Sequence, residues 1–240
     1  MFELQIEDGL ARLTLVRPEA RNAVTVAGWG ELAERIGEAA AAGARLLIVC
    51  GSGGAFSAGA DLGEFEAMRG DSPACADFRT AMRFGLDALR EAEFPTIALV
   101  EGPCYGAGVA LAMACDLRFA APDAVFAITP AKMGISYPQE DVHALVALVG
   151  PGQAARLLFS GAPVDAAEAL RIGLVDLPAE ALDGLTGAIL ANDPGSLAVL
   201  KRGIRLAAGG VRFDSAQDRE FDAMIGSDAF AARLSERRRR

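Results

Sequence analysis

The chain has 240 residues, with 23 Lys and Arg against 32 Asp and Glu for a formal net charge of −9, and 52% of it is hydrophobic. This length and apolar content predict one large domain, or one domain with an appendage, and exclude a disordered chain. The acidic balance argues against a nucleic-acid binder, which needs a basic face.

The start, MFELQIEDGL, has neither the basic segment nor the apolar stretch of a signal peptide. Phe2, Leu4 and Ile6 alternate with polar residues, and Leu13 and Leu15 do so again after Asp8-Gly9, which predicts a β-hairpin. Thr25 is a candidate cap for a helix carrying Trp29, Leu32, Ile36 and Ala39 on one face, closed by Gly43. Arg45 to Cys50 reads as a buried strand and Asp61 as the start of a short helix. Phe78, Met82, Leu86 and Leu89 mark a longer helix that ends before Pro95. Thr96 to Glu101 is a second strand, with further strand candidates at Leu117 to Ala120 and Ala124 to Ile128. Strand, glycine-rich turn and helix therefore follow one another twice, at 46–68 and at 96–115. This predicts an α/β fold with ligand chemistry where strands end and helices begin.

From about Pro138 the chain reads as mostly helical. Asp165 with Glu168 resembles a capping box, Gly173 is a stop, and helices are predicted over 179–191, 194–208, 213–225 and 227–236. Their apolar residues, including Leu197, Leu200, Ile204, Phe221, Met224 and Phe230, need a surface to pack on. The expected division is a core over 1–185 and a helical region over 186–240 that forms an oligomer interface. The closing run Arg237–Arg240 is read as a solvated tail, with a local phosphate contact as the alternative.

Other chemistries find little support. The uncharged run Gly102 to Cys115 is too short to cross a bilayer. Cys50, Cys75, Cys104 and Cys115 form no C-x-x-C pair, so no metal site or disulfide is expected and a reducing cytoplasm fits. His143 is the single histidine and no G-x-S-x-G elbow is present, against a serine hydrolase.

The stretch GSGGAFSAGAD, Gly51 to Asp61, leaves three readings open: a phosphate cradle, a plain tight turn, or backbone N–H groups exposed for chemistry. No lysine follows to make a P-loop, and GAGVAL at 106–111 lacks the third glycine of a dinucleotide turn. Two small-residue turns that each open a helix can aim N–H groups at one point, where helix N-termini add partial positive charge. Such a pair can hold a carbonyl oxygen that becomes negative during reaction.

FSAGADLGEF, VEGPCYGAGVALAMACDLRFA and FAITPAKMGISYP, with LVRPEARNAVT before them and SGAPVDAAEALRIGLVD after, resemble the crotonase superfamily, the enoyl-CoA hydratase/isomerase family. The resemblance runs over almost the whole chain in the expected order. It implies a spiral of ββα units, a C-terminal helical region that forms a homotrimer or a dimer of trimers, and acyl-CoA thioester substrates. CoA would come as part of the substrate, with no cofactor bound permanently. The two oxyanion donors would be the N–H groups of Ala60 and Ala107. Backbone around Arg21, Asn22 and Ala23 and around Ser57, Ala58, Asp61 and Leu62 would hold the CoA, with Asp61 read as a helix cap.

The pattern departs from the family at the acids. The two glutamates of family hydratases would fall on Ala110 and Pro130, and a third acidic position falls on Pro138; none of these can transfer a proton. General acid/base groups contribute roughly 10²–10⁴-fold each, so hydration should be slow unless Glu140 or Asp141 substitutes. Those two also read as first-turn helix charges, and His143 as structural. TPAKMGISYP is similar to a stretch of the methylmalonyl-CoA decarboxylases of the same superfamily, whose threonine and tyrosine correspond to Thr129 and Tyr137, although those enzymes keep an acid where this chain has Ala110. Decarboxylation needs an enolate-stabilising hole and no carboxylate base. Thr129 and Tyr137 would then orient the departing carboxylate; as alternatives, Thr129 is a turn residue and Tyr137 a packed ring with a satisfied hydroxyl. The competing class is a CoA-binding subunit without catalysis.

Overall fold

The structure is a computed structural model that describes residues 1–238; Arg239 and Arg240 of the arginine run lie outside the described residues. The chain opens with the hairpin of β1 (Phe2–Glu7) and β2 (Leu10–Leu15), turned at Asp8-Gly9 where both residues have positive φ. Helix α1 (Val26–Ala41) starts where the Thr25 hydroxyl accepts the Gly28 N–H at 3.0 Å, and buries Trp29, Leu32, Ile36 and Ala39 at helical spacing. Strand β3 (Leu46–Gly51) is buried on both faces. Leu47 and Val49 join the main core, while Leu46 and Ile48 join a second cluster with Ile97 and Phe119 on the opposite face. That two-sided burial is why the strand reads as an unbroken apolar run.

Next come α2 (Leu62–Phe65), α3 (Ser72–Glu91), β4 (Thr96–Val100), β5 (Pro103–Tyr105), α4 (Ala107–Ala114), β6 (Leu117–Ala120) and β7 (Val125–Ala127). Then follow α5 (Gln139–Ser160), β8 (Val164–Asp165), α6 (Ala166–Ile172), β9 (Leu177–Pro178) and α7 (Leu182–Leu190). One sheet has the order β1-β2-β3-β4-β6-β9, parallel except for the hairpin; a second has the order β5-β7-β8. The main core lies against α1, α3 and α4, and each fully buried side chain such as Trp29 or Leu86 contributes about 2–3 kcal/mol by leaving water. By length and composition α5 could cross a bilayer; it is broken at Gly150-Pro151 and seats Leu145, Val149, Ala154 and Leu157 in the core.

The chain forms two compact units, Met1–Leu190 and Ala191–Arg240; in the first, Leu182, Leu185 and Ile189 of α7 pack on Leu46, Ile48 and Phe119. The second unit holds α8 (Pro194–Ala208), α9 (Ser215–Ile225) and α10 (Asp228–Arg237). Asp193 and Asp214 cap α8 and α9, and the Gln217 amide donates to the Val199 carbonyl at 2.7 Å, tying the two helices. Leu200, Ile204 and Phe221 remain more than half exposed on this unit.

Candidate active site

The site is built by two glycine-rich turns that the fold places side by side. Asn22, fully buried and left-handed at φ +56, fixes the first. Its side-chain amide donates to the carbonyls of Ser52 and Ala55 at 2.9 and 2.7 Å, and its side-chain oxygen Oδ1 accepts the Arg17 N–H at 2.9 Å. Ala58 N–H donates to Arg21 O, Val24 N–H to Gly59 O and Asp61 N–H to Val24 O, so residues 21–24 run along residues 58–61.

Ser57 then staples the first turn to the second. Its N–H donates to Pro103 O at 3.1 Å and its carbonyl accepts from Tyr105 N–H at 2.8 Å. Gly59 has φ +96, and a Cβ on it would lie 2.6 Å from Tyr105 O and 2.9 Å from Ala107 N. A Cβ on Gly108 would lie 2.6 Å from Ser57 O. Only glycine at both places lets the turns touch.

The consequence is chemical. Ala60 N–H and Ala107 N–H donate to nothing among the described residues, and both residues line one cavity of about 860 Å³. Ala107 is the first residue of α4, where N–H groups have no intrahelical acceptor and carry the positive end of the helix dipole. The cavity wall is otherwise mostly apolar: Leu62, Phe65, Met68, Phe78 and Met82 on one side, Met133 and Ile135 on another. Phe65 and Phe78 meet edge to face with centroids 5.1 Å apart.

Of the residues singled out from sequence, Ala58, Ala60, Leu62, Ala107, Thr129 and Tyr137 line this cavity; Arg21, Ala23, Ser57 and Asp61 do not. Ser57 is fully buried and its hydroxyl is committed, donating to Asn22 O at 2.8 Å and accepting Gly59 N–H at 3.1 Å. Any part it takes in holding CoA runs through the shape of the turn. Asp61 caps α2 by accepting the Gly63 N–H at 2.9 Å. The hydrogen bond from Arg17 holds its carboxyl below the ordinary Asp value.

Thr129 precedes the 3-10 turn Pro130–Met133 and its hydroxyl has no partner among the described residues. Tyr137 is different: its hydroxyl donates to Gly106 O at 3.0 Å, and the ring is nearly buried. Burial, and then the nearby Asp141 charge, push the phenol well above its ordinary value, so it stays neutral. A phenol has one proton, and with that proton on Gly106 O it has none for a substrate carboxylate.

Glu140 and Asp141 stand outside the cavity. Asp141 is fully buried and paired with Arg83 at 2.7 Å; Glu140 is exposed and pairs with the same guanidinium at 2.8 Å. Glu140 and His143 line a separate groove beside Arg83 and Arg90. Ala110 is fully buried and absent from the cavity wall, whereas Pro130 and Pro138 belong to it. Sequence reasoning missed Glu66, Arg69, Cys75 and Arg79, ionisable groups that line the cavity from the α2–α3 segment. Phe78 and Met82 were readable only as a helix face, since spacing cannot tell a wall of a cavity from a core.

The comparisons agree with this architecture. A family model described as enoyl-CoA hydratase/isomerase matches residues 5–187. A Mycobacterium bovis protein named as a probable enoyl-CoA hydratase, echA6, is 36% identical over 176 residues, 73% of this chain and 70% of its own length. The crotonyl-CoA hydratase of Syntrophomonas wolfei is 35% identical over 175 residues, 72% of this chain and 66% of its own. Among solved structures, one from Hyphomonas neptunium assigned to the enoyl-CoA hydratase/isomerase family has a TM-score of 0.91 at 35% identity, covering 98% of this chain and 95% of that one. An enoyl-CoA hydratase/carnithine racemase from Magnetospirillum magneticum has the same TM-score at 29% identity, covering 99% and 92%. With the crotonase fold, the paired turns and a model match over most of its length, this chain belongs to the enoyl-CoA hydratase/isomerase family.

Proposed function

We propose that this protein binds an acyl-CoA thioester in the 860 Å³ cavity, holds the thioester oxygen on the N–H groups of Ala60 and Ala107, and decarboxylates a malonyl-type substrate. The observation that carries this reading is the pair of unpartnered N–H groups in the cavity wall, together with Pro130 in that wall and the buried Ala110 behind it, where the resemblance to family hydratases expects acids. In the reaction the bond from the α-carbon to the carboxylate breaks, and its electron pair moves onto the thioester oxygen as CO₂ leaves. A proton from solvent then completes the acyl-CoA. An oxyanion donor is worth roughly 10²–10³-fold, and decarboxylation needs no carboxylate base; in the described cavity wall Glu66 is the one carboxylate. The free hydroxyl of Thr129 is placed to orient that carboxylate; Tyr137, already bonded to Gly106, acts on the protein side. CoA enters as part of the substrate, no cofactor is bound permanently, and the reaction is cytoplasmic.

A second reading is hydration, favoured by the name of the Syntrophomonas relative and by Glu66, the one carboxylate in the described cavity wall. The test is a panel of acyl-CoA thioesters followed by mass spectrometry. Turnover of methylmalonyl- or ethylmalonyl-CoA with poor hydration of crotonyl-CoA is the expected result. Rapid crotonyl-CoA hydration sinks the decarboxylase reading, and binding with no turnover across the panel makes the protein a non-catalytic acyl-CoA binder. The exposed apolar residues of α8 and α9 support assembly into a trimer or a dimer of trimers; a monomer by light scattering at micromolar concentration rules that out.

A further inference from the structure

We infer that Tyr137 is a positioning residue whose hydroxyl locks the Gly106–Ala107 peptide in the orientation that presents the Ala107 N–H to the acyl oxygen. The inference rests on the oxyanion reading above. Gly106 C=O and Ala107 N–H belong to one planar trans peptide, so they point in opposite directions and turn together. Gly106 sits at φ +51 and ψ −118, a conformation open mainly to glycine. Gly106 lacks the Cβ that would hold this peptide in place from its N-terminal side, so the peptide is free to tilt, while a full turn to the type I′ geometry would carry Ala107 to positive φ. A tilted peptide would swing the Ala107 N–H off the line to the acyl oxygen.

Three groups restrain Gly106 O. Val109 N–H at 3.0 Å and Ala110 N–H at 3.4 Å come from the first turn of α4 itself, the second beyond the usual bonding distance. Tyr137 Oη at 3.0 Å is the side-chain donor to this carbonyl among the described residues, and it comes from a different part of the chain. Its ring is 9% exposed, so packing fixes the phenol oxygen beside this carbonyl. Donation to the carbonyl draws electron density through the peptide and makes the Ala107 N–H a better donor, as in any hydrogen-bonded chain. Phenylalanine would fill the same space without the proton.

The test is ¹³C NMR of butyryl-CoA labelled at the thioester carbonyl, bound to the whole protein. Wild type is expected to move the resonance downfield. Tyr137→Phe is expected to retain less than about half of that shift while Kd changes less than about threefold, and to lower kcat about tenfold or more with little change in KM. A full shift retained by Tyr137→Phe overturns the role of Tyr137 alone. No shift in wild type overturns the oxyanion reading on which the inference rests. Should Tyr137→Phe fail to fold, Tyr137 is the one tyrosine left in a Tyr105→Phe chain. Labelling that chain with 3-fluorotyrosine makes the phenol a stronger donor and should increase the downfield shift; an unchanged shift counts against the proposal.

Discussion

The two glycine-rich turns that meet at the cavity are held in different ways. The turn over 52–61 is fixed by side chains from several places: Asn22 with three hydrogen bonds, Ser57 with two through its hydroxyl, and Asp61 paired with Arg17. The turn over 102–107 is fixed by backbone, through Pro103 O, Tyr105 N–H and the bond from Gly106 N–H to Ala127 O, with Tyr137 as its side-chain restraint. The first draws on several side chains and the second on one. Damage to the first should therefore register in stability, and damage to the second in the chemistry of the acyl oxygen.

The contact between the turns is the most sensitive point. Gly59→Ala puts a Cβ 2.6 Å from a carbonyl oxygen at a positive φ, and is expected to cost about 3 kcal/mol or more in denaturant unfolding and to abolish acyl-CoA binding. Ala110→Glu, which puts an acid where the resemblance to family hydratases expects one, inserts a carboxylate into a fully buried position near the neutral Tyr137 phenol. It should cost about 3 kcal/mol by the same measurement and should not by itself bring crotonyl-CoA hydration. A gain of hydration without loss of stability would show that the second turn is as tolerant as the first.

Asn22→Ala orphans two buried carbonyl acceptors and should cost about 2 kcal/mol, with the thioester carbonyl shift retained in the folded fraction. A lost shift at intact stability would erase the distinction between the turns. Tyr137 gives a pH signature. Its folded value is raised above the ordinary 10.0, so its contribution is fully present below that pH and is lost as pH rises through the folded value. Alkaline unfolding followed by tyrosinate absorbance should lose this component in Tyr137→Phe. The smallest effect belongs to Asp61, whose carboxyl is held below 3.8 by Arg17 and the Gly63 N–H. Its contribution is present above that pH and lost as pH falls through the folded value. Asp61→Asn should cost less than about 1 kcal/mol near neutrality, and the gap to wild type should close in acid unfolding.

Local periodicity and capping were legible where elements are long. The hairpin, α1 with its Thr25 cap, β3, the Phe78 to Leu89 face of α3 and the four C-terminal helices all follow from spacing and end signals. Strands β5, β8 and β9 were not, because two or three residues carry no period and exist through pairing with distant partners. The break in α5 at Gly150-Pro151 is visible as a dipeptide, yet the helix resumes on the other side because the core rebinds Ala154 and Leu157.

The sequence alone determined the repeated strand, turn and helix, the small residues that let two backbones meet, and the absence of acids at Ala110, Pro130 and Pro138, since these depend on residue type and order. Only the tertiary structure decided where hydroxyls and charges point. It turned Ser57 inward to staple the turns, paired Glu140 and Asp141 with Arg83 away from the cavity, brought Glu66, Arg69 and Arg79 to its wall, and set the Tyr137 proton on Gly106 O. A side chain's partner is chosen by packing between segments far apart in the chain, and no local pattern encodes that choice.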